Sequence, residues 1–172
     1  MTAWTGPRTR ATMRAMDMRW KTWVGPALVV AAIVAVYAPV HAYRFLEWDD
    51  EALILNNPHI GHITHFWTTL EHGLFAPVTF SAWSLLYRAA GFHAGTFHLA
   101  NLVVHILNAL LVYALLRFLL GPRAGAATRG YARPPGCESN RALAATAGAA
   151  LFALHPIQAE TVSWIACLRD LL

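Results

Sequence analysis

Residues 24–40 are apolar or neutral without one charge, and at about 1.5 Å per residue they reach about 26 Å, enough to cross most of a bilayer's hydrocarbon core. A second apolar segment covers 97–120, and a third, rich in alanine, covers 142–155. The pattern predicts a transmembrane helix at each. In the third, small residues recur at four-residue spacing, as in Ala144-xxx-Gly148 and Ala145-xxx-Ala149, which lets helices approach closely. It is expected to end at His155-Pro156, because proline disfavours helix in the residue before it. The expected fold class is all-α, with transmembrane helices and a large extracytoplasmic first loop.

That first loop, 41–96, mixes polar and apolar positions and carries the turn signal Asn56-Asn57-Pro58. Ile63, Phe66, Trp67, Leu70 and Leu74 fall on one face of a helix, which predicts a helix lying on the membrane. The stretch 78–92 follows Pro77 and contains Arg88, so it reads as a second interfacial helix rather than a span. Between the second and third spans, 121–141 is rich in Gly, Ala and Pro. The last residues, 156–172, re-enter toward what looks like the start of another apolar segment.

Composition and charge sharpen this picture. Apolar residues make up 57% of the chain and charged residues 13%, well under the roughly 25% of soluble domains. The net charge of +4 is divided among blocks with no basic stripe along one element, so nucleic acid is not an expected partner. In 1–23, Arg8, Arg10, Arg14, Arg19 and Lys21 face only Asp17, and Arg117, Arg123, Arg129, Arg133 and Arg141 surround 121–141 with only Glu138 against them. Both segments are expected in the cytoplasm, and 41–96 and 156–172 outside the cell (inner) membrane. Cleavage of a signal peptide after Val40-His41-Ala42 is the alternative, and it also leaves the following residues outside. Cys137 and Cys167 fall on opposite sides, so no disulfide is expected.

Four of the nine carboxylates cluster in Glu47-Trp48-Asp49-Asp50-Glu51, just past the first span. Two readings stand: a solvated rim, or a carboxylate pair, Asp49 and Asp50, that does catalysis or holds a divalent cation. In the second span His98, Asn101, His105 and Asn108 lie within about 80° of one another. That stripe either bonds to neighbouring helices or, at its outer end with His98 and Asn101, lines a substrate cavity. Three spans alone are expected to leave it short of neighbours. Topology also puts His155, Glu160, Arg169 and Asp170 on the side of Asp49 and Asp50. His59, His62 and His65, at three-residue intervals, support a minor metal-handling reading. No HExxH, P-loop or GxSxG pattern occurs, so protease, nucleotide hydrolase and lipase chemistry have no support.

The run Leu151-Phe152-Ala153-Leu154-His155-Pro156, continuing to Glu160, Val162 and Trp164, resembles a segment of bacterial multi-pass proteins with tetratricopeptide repeats. These are relatives of the transmembrane-and-TPR O-mannosyltransferases, in the C-type glycosyltransferase superfamily. Trp48-Asp49-Asp50 with Asn56-Asn57-Pro58, Pro77-Val78-Thr79-Phe80, and Phe97-His98-Leu99-Ala100-Asn101-Leu102 agree in order and spacing. The resemblance implies sugar transfer from a polyprenyl-phosphate-linked donor to an extracytoplasmic protein or glycan, with membrane lipid around it. It implies Asp49 and Asp50 as the catalytic carboxylates, Asp50 being favoured as the base. His155, Arg169 and Arg44 are then candidates to steady the departing phosphate, and Glu160 to orient His155 or complete a cation site. The chain departs from the family pattern at Ala76 and Leu168, which supports a degenerate or non-catalytic membrane scaffold as the alternative. It is also expected to be an N-terminal fragment, inactive alone, without the repeats.

Overall fold

The computed structural model describes residues 23–121 and 137–172. Among them the chain is all-α; the one β-like pairing is an isolated bridge between Glu71 and Leu74. Helix α1 is Trp23–Ala42, and its last turn, Ala38–Ala42, narrows to a 3-10 turn at Pro39, which has no N–H to give the wider ladder. After the acidic run, Glu51–Leu55 makes one π turn and Ile63–Trp67 one 3-10 turn. Helix α2 (Pro77–Ala90) starts on proline, whose fixed φ suits a first turn, and stops at Gly91 with φ +62°. Then follow α3 (Ala94–Leu119), α4 (Cys137–Ala153), α5 (Gln158–Ser163), a 3-10 turn at Ile165–Cys167 and α6 (Leu168–Leu171).

Two of the described helices, α1 and α3, are long and apolar enough to cross a membrane, and only 22% of the apolar stretch of each is buried. A core helix in a soluble protein would be mostly buried. On α3, Leu99, Val103, Leu107, Leu111 and Leu115 are all exposed at four-residue intervals, away from the polar stripe. The expected third span differs: α4 begins before residue 142, carries Glu138 and Arg141 in its first turns, and has 17 residues, short of the other two. Glu138 pairs with Arg117 of α3 at 2.5 Å and with Arg141 at 3.2 Å, so two cations assigned to loop charge tie helix ends together.

Helices α1, α3 and α4 share one apolar core containing Val29, Ile33, Ala109, Ala149 and Ala153. Of the two small-residue pairs, Ala145 and Ala149 pack as predicted, each 0% exposed like Ala153, whereas Ala144 is exposed. Gly25 shows how close the helices come: a Cβ there would meet Thr146 Oγ1 at 2.5 Å. A second core lies at one end of this bundle and is aromatic. Phe66 stacks on Phe80 at 4.8 Å, Trp83 meets Phe80 edge-on, and Phe97, Ile165 and Leu168 complete it.

The helix expected over 63–74 is cut short. Thr68 and Thr69 both turn their hydroxyls back onto the His65 carbonyl, at 3.2 and 2.8 Å, ending the turn at Trp67. His72 and Gly73 then adopt φ +49° and +77°, reversing the chain so that Glu71 and Leu74 exchange backbone hydrogen bonds.

Candidate functional site

Asp50 joins the two blocks that sequence places far apart. Its Oδ2 accepts the Leu46 N–H at 3.0 Å, and its Oδ1 accepts the Ala166 N–H at 2.8 Å, across 116 residues of chain. Asp50 is 0% exposed. Burial pushes its carboxyl above the usual aspartate range, against the lowering effect of the two backbone donors, His98 and Trp164. The Trp164 Nε1 influences the carboxylate without making a hydrogen bond of normal geometry. An oxygen pair already holding two amides is a poor donor set for a cation, and Asp50 and Asp49 gather no third ligand among the described residues. Asp49 is half-buried beside it.

The polar stripe of α3 faces protein. Asn101 Nδ2 donates to the Trp164 carbonyl at 2.7 Å and Asn108 Nδ2 to the Leu171 carbonyl at 2.7 Å. His105 Nε2 sits 3.0 Å from the Ala153 carbonyl, and His98 Nε2 3.4 Å from that of Arg44. The stripe was expected to lack neighbours. Carbonyls from the first loop, the end of α4 and the turns after it meet one atom of each stripe residue, while His98 Nδ1, Asn101 Oδ1 and His105 Nδ1 are buried with no partner among the described residues. His98 and Asn101 are therefore buried, at 1% and 0%, rather than lining a cavity.

The cavity lies beside this junction. Its volume is about 480 Å³, within the range of small-molecule sites, and Tyr43, Arg44, Leu46, Glu160, Ser163 and Trp164 line it. It brings one cation and one carboxylate, from opposite ends of the described chain, to a single apolar-walled space. Of the other expected residues, His155 is exposed and its Nδ1 accepts the Ile157 N–H at 3.2 Å. Arg169 is exposed beside Asp170 at 3.5 Å. Neither lines the cavity. Cys167 is half-buried, and burial together with the Asp170 and Glu160 carboxylates raises its thiol to about 11, so it is no nucleophile at neutral pH.

Tyr43, Ser163 and Trp164 were not among the expected site residues. Trp164 stood in the resembling motif, but nothing in its spacing told a core indole from a cavity wall. No family model, curated protein or solved structure matches this chain.

Proposed function

We propose that this chain belongs to a membrane glycosyltransferase that moves a hexosyl group from a polyprenyl-phosphate-linked donor to a hydroxyl of an extracytoplasmic protein or glycan. The observation that carries it is the junction of Asp50 with Ala166, which sets Arg44 and Glu160 on one cavity. Both motif blocks of the resemblance meet there. In this reading the chain sits in the inner membrane with its basic segments 1–23 and 121–141 in the cytoplasm and the cavity outside, where a lipid presents the donor. Glu160 takes the acceptor's proton as its oxygen attacks the anomeric carbon, and Arg44 steadies the departing phosphate. Asp50, with both oxygens engaged, is a positioning residue rather than the base.

Membranes holding the native gene product that carries this chain, supplied with a radiolabelled polyprenyl-phosphate hexose, test the assignment. Glu160→Gln is expected to lower transfer about 10²–10⁴-fold with little loss of protein, the usual range for a general base. Arg44→Ala is expected to lower it as well. Unchanged transfer in both variants overturns the reading. One observation favours the scaffold alternative: Asp50, the residue that best matches the family's catalytic carboxylate, is engaged wholly in holding the fold.

A further inference from the structure

The turn that ends the expected 63–74 helix early also builds a cluster away from the cavity at Arg44. His59, His65 and Glu71 each offer a ligand atom, and these atoms lie within 4.8 Å of one another. His65 Nε2 is already 2.5 Å from Glu71 Oε1, and the His59 and His65 rings stack at 3.8 Å. Each of the three is held by its own anchor. His59 follows a turn in which its N–H donates to Asn57 Oδ1 at 2.8 Å, while Asn57 Nδ2 is fixed on the Leu53 carbonyl at 3.1 Å. His65 precedes Phe66, which is 1% exposed and locked against Phe80. Glu71 is fixed by its paired backbone hydrogen bonds with Leu74, closed by the left-handed pair His72 and Gly73.

We infer that His59, His65 and Glu71 form a binding site for a divalent transition-metal ion of the zinc class. Two imidazoles and one carboxylate are a ligand set that zinc accepts, with bonds of about 2.0–2.2 Å and ligand atoms therefore about 3.4 Å apart in a tetrahedron. To reach that spacing the widest pair closes by about 1.4 Å and the His65–Glu71 pair, now at 2.5 Å, opens by about 0.9 Å. The ion takes the place of the hydrogen between His65 Nε2 and Glu71 Oε1, so it binds the His65 tautomer that carries its proton on Nδ1. A fourth position opens toward a separate space of about 490 Å³ lined by His59, His62, Thr64, His65 and Thr68, where exposed His62 or solvent completes the shell. Glu71 is 9% exposed, so its carboxylate strengthens the ion's hold from a place where water competes poorly. This site is independent of the transferase reading.

Tag-free, chelator-stripped protein in detergent micelles, titrated with Zn²⁺ and separately with Co²⁺, tests it. One Zn²⁺ per chain and the visible absorption of tetrahedral Co²⁺ are expected. His65→Ala and Glu71→Gln should each weaken binding at least ten-fold, while His93→Ala, outside the cluster, should leave it unchanged. The proposal is overturned if wild-type protein binds Zn²⁺ no more tightly than a His59→Ala, His65→Ala double variant. It is overturned equally if Glu71→Gln lowers the melting temperature and leaves Zn²⁺ affinity as it was, since the pair is then only a structural hydrogen bond.

Discussion

The bundle core and the end core are built from different side chains for different reasons. Between α1, α3 and α4 the buried residues are small or aliphatic, with Ala145, Ala149 and Ala153 fully buried. At the bundle's end the buried residues are Phe66, Phe80, Trp83 and Phe97. Long helices satisfy their own backbone, so close approach suffices to hold them, and small residues give it. The end core packs single turns against α2 and one end of α3, and those turns leave free backbone groups for polar side chains. Asp50, Asn57 and Asn101 meet those groups. Regular packing is bought with periodicity, irregular packing with individual contacts.

Asp50→Ala should break the end core most. It strips partners from the Leu46 and Ala166 amides, and at about 1–3 kcal/mol for each buried unpaired group the loss should come to about 2–6 kcal/mol. The check is thermal unfolding in detergent, with tryptophan emission reporting the end core and far-ultraviolet circular dichroism reporting the bundle. Emission should shift at lower temperature than in wild type while most helical signal persists. Simultaneous loss of both would show that the two cores are one unit.

The bundle has its own weak point. Ala149→Leu forces a larger side chain into a position that is 0% exposed, at a cost of about 1–3 kcal/mol from overpacking. Here the helical signal should fall first, reversing the order expected for Asp50→Ala.

The same contrast explains what could be read from sequence. The spans at 24–40 and 97–120 rest on apolar length, the packing of α4 on its small-residue spacing and the 78–92 helix on the proline before it, and the structure has helices at each. The helix over 63–74 failed because two threonines and a His-Gly pair override an apolar pattern that looked periodic. The polar stripe showed that α3 needed partners, yet its partners are the backbone carbonyls of Arg44, Ala153, Trp164 and Leu171, and a carbonyl leaves no mark in a sequence. Likewise Asp50 was visible as a candidate carboxylate, but its burial depends on Ala166, whose side chain takes no part. Glu71 drew no attention because it stands alone, six residues from the histidine it meets.

A smaller effect follows from pH. Because Asp50's carboxyl is raised in the folded chain, its contribution to stability is fully present below the unfolded value near about 3.9 and is lost as pH rises through the folded value. Melting temperatures of wild type and Asp50→Asn, compared from about pH 4 upward, should therefore converge, with wild type losing ground. Wild type gaining on the variant as pH rises would mean that the two amide donors outweigh burial.

Hydrogen exchange at the Ala166 amide tests the junction most directly. Peptides covering 165–168 should exchange slowly in wild-type protein and fast in Asp50→Ala, while peptides from the middle of α3 remain protected in both. Fast exchange at Ala166 in the wild type would contradict the clamp that joins the first loop to the C-terminal turns, and with it the cavity that Arg44 and Glu160 share.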